Sequence, residues 1–218
     1  MIRIVGISAS PRHANTEILV KEALKAVKEL AFEVQTEFFS FVGKRIEPCT
    51  DCKGCVKKKS YCIKKDDWLN LVKPLIDPVP DGLIVGAPVY FFSTPSQLRA
   101  YFERCTSLVK AKWEKDFPYE PPNWTKTAGG AIAVGYDRHG GQENTMTNIH
   151  HWFLINGFVV VGGDYIGGGA WQQFEDARDS VKKDEVGREA ARRVGIRVGL
   201  TAKMLNVGKH AIESVALT

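Results

Sequence analysis

The sequence predicts an α/β fold: a doubly wound, five-stranded parallel sheet with helices on both faces and a cysteine-rich insertion after strand two. Three observations carry this reading. Short apolar runs recur along the chain and alternate with stretches of helical periodicity, the mark of repeated strand–helix units. The runs are continuously apolar, as in strands buried on both faces of a sheet. Four of the five cysteines fall between positions 49 and 62, in the connection that follows the second run.

The elements follow in order. Residues 2–7 (IRIVGI) form the first strand, and the polar turn SASPRHANT leads into a helix whose Ile18, Leu19, Ala23, Leu24, Val27 and Leu30 repeat at helical spacing. Residues 32–39 form a second strand with Val34 and Phe38 alternating. After the cysteine segment a helix runs over about 66–76. Residues 82–86 (GLIVG) form the third strand and end in the turn APVYFFSTP. Leu98, Tyr101, Phe102 and Cys105 mark the next helix. Residues 110–127 are a Pro-, Trp- and Lys-rich connection without clear periodicity. Residues 130–134 form a fourth strand, followed by the loop GYDRHGGQE and a helix to about Asn156. Residues 158–161 form a fifth strand, 162–169 are glycine-rich, and a last helix runs over about 185–205. Residues 1–205 are expected to form one domain, with 45–65 the cysteine-rich segment within it and 206–218 a C-terminal tail.

Composition narrows the function classes. With 218 residues, 44% hydrophobic and 25% charged, the chain can bury a core without disulfide staples. A formal charge of +5 is too weak alone to point to nucleic acid. No segment reaches the ~18 apolar residues of a membrane span, and the start MIRIVGISASPR does not read as a signal peptide. A cytoplasmic location is therefore expected, where thiols stay reduced and grouped cysteines bind metal or do redox work. GxGxxG, GxxxxGK[ST], GxSxG and HExxH are all absent, so a classical dinucleotide fingerprint, nucleotide hydrolysis and serine or zinc hydrolysis find no support.

Every chemical-looking loop follows a strand, which places the loops together beyond the carboxyl ends of the sheet, where such folds bind ligands. In SASPRHANT, hydroxyls, an amide, an arginine fork and a helix start form an anion site suited to a phosphate ester; the same residues also serve as ordinary helix caps. Cys49, Cys52, Cys55 and Cys62 read C-x2-C-x2-C-x6-C. Tandem C-x2-C steps are the pattern of a 4Fe–4S cradle, while zinc, a disulfide and plain free thiols stand as alternatives. Cys105 lies on an apolar helical face and reads as a core thiol. Lys53, Lys57, Lys58, Lys59, Lys64 and Lys65 crowd the cysteine segment, either as a solvated surface or as a cationic rim that steers an acidic electron carrier. His139, His150 and His151 offer only weak donor or ligand readings. Trp113, Phe117, Tyr119 and Trp124, interleaved with Lys110, Lys112, Lys115 and Lys126, read as a site lid or subunit contact in preference to a nucleic-acid surface.

The three loops, SASPRHANT, APVYFF and GYDRHGGQE, each after a strand, resemble those of the NADPH-dependent FMN reductase family of flavodoxin-like proteins, and the cysteine pattern resembles that of its iron–sulfur flavoproteins. The resemblance implies a flavodoxin-like fold with FMN and a 4Fe–4S cluster as cofactors. It implies that Ser8, Ser10, Arg12, Asn15 and Thr16 hold the FMN phosphate. Pro88, Val89, Tyr90 and Phe91 would line the flavin ring, and Gly135, Tyr136, Asp137 and Arg138 would approach its other edge. Tyr136 stands where many relatives have glycine. The cysteines would hold the cluster. Ferredoxin or a similar carrier is the implied donor, and a small molecule (oxygen, peroxide or a quinone) the implied acceptor, in a homodimer or homotetramer with no nucleic-acid or membrane partner. No protein residue is assigned a catalytic role, since the flavin carries the chemistry. The alternatives are an FMN-only NAD(P)H-dependent flavin or quinone reductase and a non-catalytic redox carrier or sensor.

Overall fold

A computed structural model describes residues 1–110, 117–137, 140–162 and 178–215, with side chains as far as Gly208. The strands are β1 (Ile2–Ser8), β2 (Val34–Ser40), β3 (Gly82–Pro88), β4 (Ala128–Val134) and β5 (Val159–Val160). The helices are α1 (Asn15–Lys28), α2 (Gly54–Lys57), α3 (Trp68–Ile76), α4 (Ser96–Arg104), α5 (Thr106–Lys110), α6 (Gln142–Ile155) and α7 (Glu185–Val215), with a 3₁₀ turn at Ser180–Lys183. All strand pairs are parallel and the order is β2-β1-β3-β4-β5. This is the flavodoxin-like doubly wound order, and its switch point lies between β1 and β3.

The alternation of side chains along each strand separates two cores. On one face Val5, Ile7, Leu83 and Val85 meet Trp68, Leu71 and Leu75 of α3, Leu98 and Tyr101 of α4, and Trp152 and Phe153 of α6. On the other face Ile2, Ile4, Ile84 and Ile132 meet Leu19, Val20 and Leu24 of α1 and Val194 and Val198 of α7. Each large apolar side chain buried this way stabilises the fold by ~1.5–3 kcal/mol. Helices on both faces leave the carboxyl edge of the sheet open, and there the loops after β1, β2, β3 and β4 emerge.

Several boundaries differ from the sequence reading. Strand β4 begins at Ala128, because Ala128 and Gly129 continue the ladder opposite Gly82 and Leu83; glycines inside a strand had read as its boundary. The last helix does not end near Leu205 but continues to Val215. The tail expected over 206–218 is therefore helical as far as the structure describes it. Helix α2, helix α5 and the 3₁₀ turn were not anticipated; each is only four or five residues long, too short to show a period. The glycine-rich run at 163–169, Lys112, Trp113, Lys115, Arg138 and His139 lie outside the described residues.

Candidate functional site

At the end of β1 the chain turns into α1 through Ser8, Ser10 and Arg12. Ser8 and Ser10 are buried, and Arg12 is exposed. Ser10 Oγ accepts from the Arg12 amide (3.1 Å) and donates to the Arg12 carbonyl (2.9 Å), closing the turn. Ser8 Oγ is buried with no hydrogen-bond partner among the described residues. The N-cap of α1 is Ala14, which supplies no side-chain cap, so the positive end of the helix is left to meet a ligand. An orphaned buried hydroxyl, an uncapped helix start and an arginine at the rim fit a phosphate ester. Glu17 in the first turn of α1 would repel one, but its carboxylate is held by Lys21 (2.5 Å) and His13 (2.8 Å). Burial raises its pKa, and those two partners outweigh it and bring it below the usual carboxylate range. Thr16 is buried in the same turn. Asn15 sits there too, and its amide ties the turn to a distant part of the chain: Nδ2 donates to Ser180 Oγ (3.1 Å) and Oδ1 accepts from the Val181 amide (3.1 Å).

The loops after β3 and β4 are tied to each other. Val89 N donates to Val134 O (2.8 Å), extending the β3–β4 ladder into the turn. Tyr90 and Ser93 then pair across a tight reversal. Phe91 and Phe92 at its tip take left-handed φ values of 48° and 68°, unusual for aromatic residues. Phe91 is fully exposed, at 106%, and Phe92, Tyr90 and Tyr136 are exposed as well. Asn144 Nδ2 donates to Phe92 O (2.9 Å) and Asn148 Nδ2 to Ser93 Oγ (3.3 Å), so α6 clamps the aromatic turn. Gly141 caps α6 at φ +105°, and a Cβ there would meet the Phe92 backbone at 2.8 Å. Buried Gln142 closes the 135–142 loop by donating to the Asp137 carbonyl and accepting from the Gly140 amide. Pro88, Val89, Tyr90, Gly135, Tyr136 and Asp137 are thus brought to one edge beside Ser8, since β1, β3 and β4 are neighbours. The order of the sheet achieves this.

The cysteine segment spans the connection from β2 to α3. Cys49, Cys52, Cys55 and Cys62 line one recess, together with Arg104 and Lys110. All four are free thiols. Three non-glycine residues of the segment, Asp51, Lys53 and Lys59, take left-handed φ values of 47°, 58° and 46°, and the reversals curl the loop. Such backbone costs of order 1 kcal/mol or more per residue, and ion pairs sustain it here. Asp51 bridges Lys53 (2.7 Å) and Lys110 of α5 (2.9 Å); the hydrogen bonds from these lysines bring its pKa down to about 2. Gly54 packs closely against Ile63, whose side chain a Cβ there would overlap. The Gly54 amide lowers the Cys52 thiol pKa below its ordinary value, and Asp51 N donates to Cys49 Sγ (3.4 Å).

Beneath the recess lies a buried ion pair. Arg104 donates to both oxygens of Asp66 (2.7 and 3.1 Å) and to Glu47 O (3.0 Å), with the two side chains 0% and 1% exposed. Asp66 also accepts from the Glu47 and Trp68 amides (2.9 and 3.1 Å). Burial raises the Asp66 pKa, but Arg104 and those amides outweigh it and hold the group below its ordinary value. Burial likewise opposes the Arg104 charge, and Asp66 together with the neighbouring Cys62 overrules it, so the guanidinium pKa rises. Cys105, 2% exposed, packs in the core, where burial pushes its thiol pKa up.

Among the described residues no three His, Cys, Asp or Glu side chains converge on a point that would hold a single ion. A 4Fe–4S cluster meets its ligands at four separate irons, one thiolate to each. Four free thiols lining one recess, beside cations that offset their charge, match that group in donor number and chemistry. Arg104, Asp66, Asn144 and Asn148 carry no site reading in the sequence; Lys110 reads there only as part of the 110–127 connection, and Gln142 only as part of the loop GYDRHGGQE. The pairing of Asp66 with Arg104 spans 38 positions and leaves no local pattern there.

A doubly wound sheet with a hydroxyl-and-aromatic ligand edge, flanked by thiols, defines a flavodoxin-like redox protein. The comparisons make this specific. The family model for NADPH-dependent FMN reductase matches residues 2–172. The chain is 36% identical over 210 residues to an iron–sulfur flavoprotein of Methanocaldococcus jannaschii, covering 94% of this chain and 99% of that one. It is 39% identical over 192 residues to an iron–sulfur flavoprotein of Archaeoglobus fulgidus, covering 87% and 92%. Among solved structures, a flavone reductase superposes with a TM-score of 0.65 at 20% identity, over 93% of this chain and 63% of that one; this shows the shared fold, and the chain spans less than two thirds of that protein. The chain belongs to the NADPH-dependent FMN reductase family, within its iron–sulfur flavoproteins. It is a flavin-dependent oxidoreductase. No helix among the described residues is long and apolar enough to cross a membrane.

Proposed function

We propose that this flavin-dependent oxidoreductase holds FMN along the carboxyl edge of β1, β3 and β4 and a 4Fe–4S cluster in the cysteine recess. In this reading it takes electrons from a soluble acidic donor such as ferredoxin and delivers them to a small acceptor such as oxygen, peroxide or a quinone. When bound, the cluster supplies one-electron transfer and FMN both one- and two-electron transfer. The observation that carries the reading is the placement of four free thiols in one recess, in a chain whose strand-end loops meet at one edge of the sheet. Helix α4 runs from one site to the other.

The chain's own residues bind, orient and shield. Ser8, Ser10, Arg12, Asn15, Thr16 and the start of α1 hold the phosphate, and Asn15 also anchors the turn to the segment at Ser180. Pro88, Val89, Tyr90 and Phe91 line the ring, and Gly135, Tyr136 and Asp137 close its other edge and exclude water. Cys49, Cys52, Cys55 and Cys62 hold the cluster. Exposed Lys57, Lys58 and Lys65 give the recess a positive approach that suits an acidic carrier. Exposed Phe91, Leu154 and Ile155 support association into a homodimer or homotetramer, and the free thiols suit a reducing cytoplasm.

Anaerobic purification tests the reading. Broad visible absorption beneath the flavin bands, with about four iron and four sulfide per chain, is expected. A pure flavin spectrum without iron overturns the cluster and leaves an FMN-only reductase.

A further inference from the structure

We infer that Arg104 is a positioning residue of the cysteine recess: Asp66 fixes its guanidinium beside Cys62, where its charge and its unspent Nε–H orient that ligand and favour the more negative, reduced state of the bound cluster. The inference rests on the reading of the recess as a cluster site. Three observations carry it. First, Arg104 is fully enclosed yet lines the recess that the four thiols line. Second, its hydrogen bonds are unevenly spent. The two terminal nitrogens are committed to Asp66 and to Glu47 O, while Nε is buried with no acceptor among the described residues. A buried donor left over in this way is costly unless something at the site takes it. Third, the guanidinium cannot swing away. Both oxygens of Asp66 hold its fork, Trp68 lies under it at 5.1 Å, and Asp66 is itself tied to two amides.

The physics assigns the direction. Electron uptake makes a cluster more negative, and a fixed positive charge in a buried, weakly screened position stabilises that state. The fork geometry adds a hydrogen bond toward sulfur that an ammonium in the same place would not reproduce. Hydrogen bonds to ligand sulfurs and local charge are among the means by which proteins set cluster potentials. The partnering carboxylate meets only the two terminal nitrogens, so it orients the charge and leaves Nε uncommitted.

The experiment compares the anaerobically loaded wild-type protein with Arg104→Lys and with the double variant Arg104→Met/Asp66→Leu. The double variant leaves no lone buried charge and so is expected to fold. Iron, sulfide and FMN are counted first, and the cluster midpoint potential is then read by potentiometric titration with visible and electron paramagnetic resonance detection. The expected result is a full iron complement with a midpoint shifted to more negative values in the double variant, and an intermediate midpoint in Arg104→Lys. If the double variant loses iron with circular dichroism and FMN content unchanged, Arg104→Lys decides by its midpoint. Identical midpoints in all three loaded proteins overturn this inference alone. A wild-type protein that takes up no iron overturns the cluster reading, and the inference falls with it. If the double variant does not fold, Arg104→Lys decides, and a wild-type midpoint there overturns the inference.

Discussion

At the flavin edge, Ser8, Tyr90 and Gly135 each stand within two residues of a strand end, and neighbouring strands bring them together. At the cysteine recess the four thiols come from one connection of the chain, and distant side chains shape it: Asp51 is gripped by Lys110, and Asp66 by Arg104. The first site inherits its geometry from the sheet. The second is shaped by ion pairs and by three left-handed residues. A site placed by topology tolerates change in its loops; a site placed by side chains does not.

Three changes test that contrast. The largest effect is expected from Asp66→Ala, which leaves the Arg104 charge buried and unpaired and should cost about 3–5 kcal/mol of stability, measured by chemical denaturation. The depressed pKa of Asp66 adds a pH signature. The carboxylate is ionised in the folded state at pH values where the unfolded chain begins to protonate it. Its stabilisation is therefore present above the ordinary carboxylate value of 3.8 and is lost as pH falls through the lower folded value. The Asp66→Ala variant should lack this part of the acid dependence, and an equal acid dependence in both proteins would contradict the assignment.

A smaller effect is expected from Ser10→Ala, which removes the hydroxyl that closes the first turn. A loss of about 1 kcal/mol, or roughly fivefold weaker FMN binding, should appear in a fluorescence titration while the iron content stays unchanged. A parallel fall in iron would show that the two sites are not independently supported. The smallest effect, and the one most sensitive to conditions, belongs to Lys57→Glu/Lys58→Glu/Lys59→Glu. Stopped-flow reduction by ferredoxin should slow at low salt, and the difference should vanish near 1 M salt, where the screening length falls to ~3 Å. An equal rate at low salt would remove the steering role of these lysines.

The same contrast explains what was legible in the sequence. β1 and β3 read clearly because their apolar runs are bounded by turn residues, and the loops after them could be placed from topology alone. The cysteine spacing showed that four thiols belong together, because a short loop keeps them close whatever else it does. It did not show Arg104, because nothing at position 104 distinguishes a buried guanidinium from an exposed one at the end of a helix. Asn15 reads as a phosphate ligand from its motif, and its amide also reaches Ser180, 165 residues away, a contact that no local pattern shows. Local patterns report on the backbone that carries a residue; side-chain commitments over long separations are decided by packing. The continuation of α7 past Leu205 has a related cause. Gly208 interrupts the pattern there, while the helix itself runs on to Val215.

Helix α4 has nine residues, Ser96 to Arg104, a span of about 12 Å at ~1.5 Å per residue. It starts at the aromatic turn and ends at the guanidinium under the cysteines. At 3.6 residues per turn, one inserted residue would rotate Arg104 by about 100° about the helix axis and turn it away from Asp66, and a full extra turn would restore its direction but displace it by about 5.4 Å. The number of residues in α4 is thus a constraint in its own right, separate from the identity of any of them.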